Sequence, residues 1–280
     1  MLASSFLGAL NGSIAKILAT SIPALEIVFF RNVLGVLIIL AMLKHTPTSI
    51  DTKNLPLLIL RGVFGFLAMF LFFYTITIIP LSDAITLNKT SPIFVALLAF
   101  LVLKERLNLY KIIALFLGFL GVILITNPTG VKFDFSYILG LLGGFFAGAA
   151  YTTISKIKHI YDSRVIVLSF MSMGSLFPLF FFLIASYLPP NPLIKEFILP
   201  TSKTDFALII FMAITATLSQ WLLTKAYSAP NLSLVATISY SIIPFSVVFG
   251  FFLGDKLPDV FKIIGIVLIV VAGILAKRSD

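Results

Sequence analysis

Apolar runs of about 20 residues follow one another along almost the whole chain, and they constrain its fold more than any other feature. A helix needs roughly 20 mostly apolar residues to cross the hydrocarbon core of a bilayer. Unpaired backbone groups are costly there, so such runs must be helical. The sequence therefore predicts an all-α polytopic membrane protein with ten transmembrane helices, over 2–19, 23–43, 56–79, 82–103, 108–126, 135–156, 163–188, 205–228, 231–253 and 258–276.

The composition agrees with a membrane location. Hydrophobic residues make up 60% of the 280 residues and charged residues 11%, whereas a soluble domain carries roughly 25% charged residues. The net charge of +9 does not indicate nucleic acid, because the basic residues lie mainly at the ends of apolar runs. We expect the lipid bilayer as a partner and no nucleic acid. The absence of cysteine excludes disulfides and thiol catalysis.

The ends of the apolar runs predict the orientation of the chain. Basic residues are about twice as frequent at the ends that face the cytoplasm when both termini are inside. We therefore expect an inner-membrane protein with both termini cytoplasmic. The first run has no basic segment before it and no small-residue cleavage site, so we interpret it as a retained helix. Because this run is short, we expect a few residues upstream of Met1 to be missing.

The stretch 82–125 has a second copy at 233–275. Each copy carries a proline early in its first apolar run, an acid-base pair after that run, and then Lys-Ile-Ile before a glycine-containing apolar run. The opening helices repeat as well, because 6–17 aligns without a gap on 146–157. An internal repeat of this length constrains the whole architecture.

The repeat divides the chain into two domains of five helices each, 1–127 and 135–277. Since five is an odd number, the two copies must cross the membrane in opposite senses. Inverted-topology repeats are typical of secondary transporters, whose substrate site lies near the midplane between the halves. The sequence therefore predicts two inverted five-helix repeats.

Four short motifs lie on or beside the helices of the first half. They are Glu-Ile-Val-Phe-Phe-Arg-Asn from Glu26, Leu-Arg-Gly around Arg61, Ser-Pro-Ile-Phe from Ser91 and Glu-Arg-Leu from Glu105. In these motifs, and over nearly all of its length, the chain resembles the EamA-type drug/metabolite transporter superfamily. The resemblance implies a ten-helix bundle of two EamA domains around a central cavity. The second half departs from the pattern, with Asp-Lys-Leu from Asp255 in place of Glu-Arg-Leu.

Charged residues inside apolar runs are the first candidates for a substrate site, because a charge in the bilayer usually faces a cavity or a partner. Our candidates are Lys16, Glu26, Arg31, Asp83 and Lys89. For Glu26 and Arg31 a fixed ion pair remains an alternative, with partners on other helices because the two residues lie about 140° apart around a helix. We expect two further cations, Arg61 and Lys225, to reach the headgroups with their long side chains.

Lys89 is the strongest of these candidates. It lies beside Asn88 and three residues before Pro92, which has no N–H to pair with the carbonyl of residue 88. This predicts a polar opening in the helix where an ammonium meets water, an anion or a structural acid. Uncharged residues could line the same cavity, although packing alone is the alternative for each: Asn88, Tyr74, Tyr151, Gln220, Trp221, Tyr227 and Tyr240.

These features predict a secondary active transporter that works by alternating access. Among the seven charges within the runs, the cations outnumber the acids five to two, so we expect a small polar metabolite with a carboxylate, such as an amino acid or a related compound. No enzyme, nucleotide-binding or metal-binding motif is present, so we expect no catalysis and no cofactor. A channel-like or non-transporting membrane subunit and an exporter of drug-like compounds are the alternatives. We expect a monomer or a homodimer.

Overall fold

Every regular element in the described part of the chain is an α-helix. The computed structural model describes residues 1–48, 50–78, 81–105, 108–126, 135–185, 197, 199–200, 202–254 and 259–277. The helices are α1 Leu2–Leu18, α2 Ala24–His45, α3 Leu55–Ile78, α4 Leu81–Asn88, α5 Ser91–Leu103, α6 Leu109–Thr126, α7 Phe135–Ile157, α8 Ser163–Ile184, α9 Lys203–Tyr227, α10 Leu232–Ser239, α11 Ile242–Phe252 and α12 Val260–Lys277. The prediction of an all-α chain is confirmed for these ranges.

Seven helical spans in the described part are long and apolar enough to cross a membrane, if α4–α5 and α10–α11 each count as one. The three shorter apolar helices are α1, α6 and α12. Each predicted apolar run therefore coincides with a helix or a pair of helices, and the chain is a membrane protein. Ten spanning helices in two inverted repeats remain a prediction.

Two predicted spans, 82–103 and 231–253, are each interrupted by a two-residue turn, and each still forms one apolar span long enough to cross a membrane. The breaks fall at residues 89–90 and 240–241. A proline follows each break, Pro92 in α5 and Pro244 in α11. A proline in a helix removes a backbone donor and clashes with the carbonyl four residues earlier. Both copies of the repeat therefore carry the same break.

The helices pack in pairs that follow the repeat. The closest neighbours include α1 with α9, α3 with α7, α2 with α8, and α6 with α12. In the repeat, α1 to α6 correspond in order to α7 to α12. The contact of α1 with α9 therefore corresponds to that of α7 with α3, and the contacts of α2 with α8 and of α6 with α12 correspond to themselves. The backbones of α6 and α12 touch at two glycines: a Cβ atom on Gly121 would lie 2.6 Å from the carbonyl oxygen of Gly265. Small residues permit such close approach in lipid.

The contact of α5 with α10 departs most strongly from this symmetry. Helix α5 packs against α10, whereas their counterparts α11 and α4 make no comparable contact among the described residues. The interface of α5 and α10 is apolar and buried. We call it the α5–α10 gate, and it consists of Val95, Ala99, Leu232, Val235 and Ala236. The molecule is therefore closed where α5 ends and α10 begins.

Candidate functional site

A cavity of about 160 Å³ lies between the two helix breaks. Both halves of the chain form its wall, with contributions from α1, α7, α9 and the residues around each break. The lining residues are Met1, Ser4, Ser5, Gly8, Asn88, Lys89, Ser91, Tyr151, Ser219, Gln220, Leu223, Tyr227, Ser239 and Ile242. Five of the residues predicted for the site therefore lie together in this wall: Asn88, Lys89, Tyr151, Gln220 and Tyr227.

Lys89 is the charged side chain in the described wall of the cavity. It directly follows the last residue of α4, and its backbone N–H donates to the carbonyl of Ile85 at 2.9 Å. Within the described ranges, its ammonium forms no ion pair and donates no hydrogen bond. No aspartate or glutamate is among the described lining residues. In the described part of the chain, the wall therefore presents a cation without a carboxylate to balance it.

Serine hydroxyls make up much of the remaining polar wall. Ser4 of α1 donates to the carbonyl of Ser219 on α9 at 2.8 Å, and the Ser219 hydroxyl donates back to the carbonyl of Ser4 at 2.9 Å. This reciprocal pair fixes two sides of the cavity to each other. These serines were not predicted from the sequence, because isolated hydroxyls in apolar helices usually bond to their own helix. No sequence signal distinguishes a serine that bonds across to another helix.

Two stacked tyrosines separate the cavity from the apolar gate. The rings of Tyr151 and Tyr227 lie 4.5 Å apart between centroids and are nearly parallel, at 6°. Tyr227 also belongs to the buried cluster that contains the gate residues. The stack therefore forms a boundary with a polar space on one side and packed aliphatic side chains on the other.

Three aromatic candidates lie outside the cavity wall. The indole N–H of Trp221 donates to the Ser163 hydroxyl at 3.1 Å, and the ammonium of the exposed Lys225 lies 3.9 Å from the indole ring. Tyr240 is fully buried in an apolar cluster of α6, α11 and α12. Tyr74 is half-buried and stacks on Phe70.

The other charged candidates are also dispersed. Arg31 is half-buried and donates to the sulfur of Met69 at 3.5 Å. Glu26 is buried in the first turn of α2, and Lys16 is exposed in the last turn of α1. The side chain of Asp83 lies outside the described residues. Lys89 and the amide side chains of Asn88 and Gln220 therefore line the cavity. Arg31, Glu26 and Lys16 do not.

Arg61 corrects a second expectation, because its side chain is buried and does not reach the headgroups. It is 1% exposed. Its guanidinium lies 5.1 Å from the ring centroid of Phe170, and Nε and Nη1 have no hydrogen-bond partner in the described part of the chain. A Cβ atom on Gly65 would lie 2.5 Å from Nη1, so this glycine makes room for the guanidinium. An arginine followed one turn later by glycine is the sequence signal that could have indicated burial.

Across the described residues, no group of three histidine, aspartate or glutamate side chains is placed to hold a metal ion.

Comparisons with known proteins agree with one another. Residues 1–127 match the EamA-like transporter family. A pseudopaline exporter from Pseudomonas aeruginosa is 31% identical over 278 residues, which are 99% of this chain and 94% of that protein. An S-adenosylmethionine uptake transporter from Rickettsia conorii is 24% identical over 93% of this chain and 85% of its own. A crystal structure at 15% identity superposes with a TM-score of 0.82 over 99% of this chain and 97% of its own, so the fold is shared.

Proposed function

Because the chain belongs to the EamA-like transporter family, we propose that it is a secondary transporter for a small polar metabolite that carries a carboxylate. The family and the relatives are transporters and not enzymes, and the chain is a membrane transporter of small molecules. The class of substrate and the mechanism are the parts that we propose. An amino acid or a related compound is the expected substrate.

The unbalanced charge of Lys89 carries this proposal. An ammonium near the bilayer centre costs about 2.5–3.5 kcal/mol on insertion scales. In this structure Lys89 lines the cavity, and no carboxylate of the described residues pairs with it. A substrate carboxylate would supply the missing charge and a charge-assisted hydrogen bond.

The two helix breaks support the same chemistry. Helix α5 begins at Ser91 and α11 begins at Ile242, and both residues line the cavity. The N-terminus of a helix carries a partial positive charge. Interrupted helices in secondary transporters direct such ends toward the anionic groups of substrates. The half-helices and Lys89 thus favour an anion in the same space.

Alternating access is supported by the packing of the helices. The paired contacts are those expected of two inverted halves, 1–127 and 135–277. The largest asymmetry is the tight α5–α10 contact without a comparable α4–α11 contact among the described residues. Such an asymmetry is expected of a conformer closed on one side. Five basic residues lie at or beside helix ends on the gate side: Lys44, Lys53, Lys104, Lys156 and Arg164. We therefore assign that side, and both termini with it, to the cytoplasm.

Counterflow in proteoliposomes tests the proposal. Liposomes are loaded with an unlabelled amino-acid mixture, and uptake of radiolabelled amino acids from outside is followed with time. A carrier gives saturable uptake with a transient overshoot, because the internal substrate drives exchange. Uptake without saturation or overshoot would indicate the channel alternative. Exchange with hydrophobic cations alone would contradict the carboxylate.

A further inference from the structure

We infer that Glu105 is the latch of the α5–α10 gate: its carboxylate holds the first turn of α10 in this conformer and must release it when the gate opens. This inference rests on the proposed transport function. It assigns a gating role to Glu105, which is not among the residues that line the cavity.

The backbone fixes Glu105 to the end of α5. Lys104 adopts a left-handed conformation, with φ at 57°, and ends the helix there. The N–H of Glu105 then donates back to the carbonyl of Ala99 at 3.0 Å. A non-glycine residue with this conformation costs free energy, so the turn is a specific way to end α5. Any movement of α5 therefore also moves the carboxylate.

The carboxylate satisfies the exposed donors at the start of α10. One oxygen accepts from the N–H of Leu232 at 3.2 Å, and the other accepts from the N–H of Ser233 at 3.3 Å. The side chain of Asn231 accepts from the third N–H, that of Leu234, at 3.2 Å. The first N–H groups of a helix have no partner within the helix. Here two of them depend on a residue from the other half of the chain.

Lys111 neutralises the latch without crossing the gate. Its ammonium lies 3.6 Å from the Glu105 carboxylate, and the two side chains are only 10% and 14% exposed. Lys111 belongs to α6, which is in the same half as Glu105. This ion pair can therefore persist when the halves separate. The bonds that must break are those that the N–H groups of Leu232 and Ser233 donate to Glu105.

The rest of the gate has no comparable directional contact among its members. Val95, Ala99 and Ala236 pack through apolar surfaces, which allow sliding and separation. Hydrogen bonds that a carboxylate accepts from the N–H groups of a helix N-terminus form in only one relative position of the two helices, and the helix dipole strengthens them. After opening, water can solvate both the carboxylate and the N–H groups, so release is reversible. Glu105 thus fixes the relative position of α5 and α10 in the closed gate, while the free energy needed to open the gate stays modest.

Thiol labelling tests the latch without a substrate, because the chain has no cysteine of its own. Ala99→Cys places a thiol on the α5 side of the gate, at a position that is 0% exposed. The rate of its reaction with a small water-soluble maleimide is measured in detergent, with and without Glu105→Gln. We expect labelling to be about tenfold faster with Glu105→Gln, because the charge-assisted bonds to α10 are weakened. An unchanged rate would overturn the latch.

Three controls separate gate opening from other effects. Ala236→Cys repeats the measurement from the α10 side, in case Ala99→Cys impairs folding. Ala272→Cys, buried on α12 and also 0% exposed, should react at the same rate in both backgrounds; faster labelling there would indicate general loosening and overturn the latch. Lys111→Gln leaves the carboxylate in place and should not speed labelling at the gate; acceleration equal to that of Glu105→Gln would assign the closure to the ion pair and overturn the latch.

A thiol in the cavity wall distinguishes this inference from the proposed function. For this measurement the protein is in sealed vesicles, and a membrane-impermeant maleimide is added on the side opposite the gate. Under alternating access, Glu105→Gln should slow the labelling of Ile242→Cys, because opening of the gate closes the path from that side. Faster labelling at Ala99→Cys together with slower labelling at Ile242→Cys supports both the latch and alternating access. Faster labelling at Ala99→Cys with no change at Ile242→Cys supports the latch and overturns alternating access.

Discussion

The two helix breaks have the same geometry and different chemistry. The first break, between α4 and α5, carries Lys89 and Thr90, and the second, between α10 and α11, carries Tyr240 and Ser241. In both, a segment of eight residues precedes the break and a proline follows it. Yet Lys89 lines the cavity, whereas Tyr240 is fully buried among aliphatic side chains. The repeat thus preserves a backbone feature twice and supplies a charge once.

This difference indicates which properties each half contributes. Two breaks give two half-helix N-termini at the cavity, and this electrostatic contribution comes from the backbone whatever the side chain. A single ammonium gives the site one strong point of attachment. Consequently, substitutions at the first break should act on transport, and substitutions around the second break should act on stability.

The largest expected effect is on transport by Lys89→Met. Loss of the ammonium removes a charge-assisted hydrogen bond to the substrate, so transport per folded molecule should fall by about ten- to a hundredfold while folding stays near normal. Lys89→Arg should restore only part of it, since a planar guanidinium does not replace a compact ammonium. Tyr240→Phe is the matched change at the second break and should leave transport within about twofold of wild type. Equal losses of transport in Lys89→Met and Tyr240→Phe would contradict the proposal that only the first break supplies a substrate contact.

Gly118→Ala should destabilise the second break. A Cβ atom there would lie 2.5 Å from the ring of the buried Tyr240, and overpacking of this kind costs about 1–3 kcal/mol. Gly273→Ala is the control, because its Cβ atom would meet nothing within 4 Å and alanine is the better helix former. Thermal unfolding in detergent measures both. Gly118→Ala should destabilise the protein less when Tyr240 is replaced by leucine. If the loss of stability is the same in the Tyr240→Leu background, the clash is with another neighbour.

Arg61→Met should stabilise the protein by about as much as Gly118→Ala destabilises it. The buried guanidinium has two donor nitrogens without partners in the described part of the chain, and such donors cost about 1–3 kcal/mol when left unsatisfied. The midpoint temperature of unfolding should therefore rise. Arg61→Lys keeps the charge and should not give the same gain. A clear loss of stability in Arg61→Met would show that the guanidinium holds structural partners.

The smallest effect is expected at Asp162, far from both breaks. Asp162 caps α8 by accepting from the N–H of Arg164 at 2.8 Å, and Asp162→Ala should cost about 1 kcal/mol while Asp162→Asn costs less. Hydrogen bonds from the Arg164 side chain lower the pKa of the Asp162 carboxyl. Its stabilisation is therefore present at neutral pH and is lost as the pH falls through this lowered pKa. Unfolding curves from pH 7 downward check this, and a pH dependence that survives in Asp162→Ala would assign it to another group.

Much of the fold was predictable from the sequence, because each apolar run is long enough to require a helix. The breaks were not predicted, although Pro92 indicated a polar opening beside Asn88. Proline is tolerated within many membrane helices, since neighbouring groups can satisfy the freed carbonyl. Whether a helix continues past it depends on packing. The break at Tyr240 carried no charge to draw attention to it.

The site was predictable where polarity alone identified it. Lys89, Asn88 and Gln220 are polar residues in apolar runs, and all three line the cavity. Trp221, one residue beyond Gln220, lies outside the wall because consecutive residues in a helix point about 100° apart. The rotation of α9 is set by its contacts with α1 and α2, which the sequence does not specify. For the same reason, the sequence did not distinguish the buried Arg61 from the exposed Lys225.

The pairing of Lys89 with a substrate carboxylate is tested most directly by changing the charge on both sides. The amino acid that gives the strongest counterflow is compared with its carboxamide, as competitors for transport by wild type and by Lys89→Met. We predict that wild type prefers the free carboxylate by at least about tenfold, and that Lys89→Met accepts both compounds with nearly equal, low efficiency. A full preference for the carboxylate in a well-folded Lys89→Met would contradict the account.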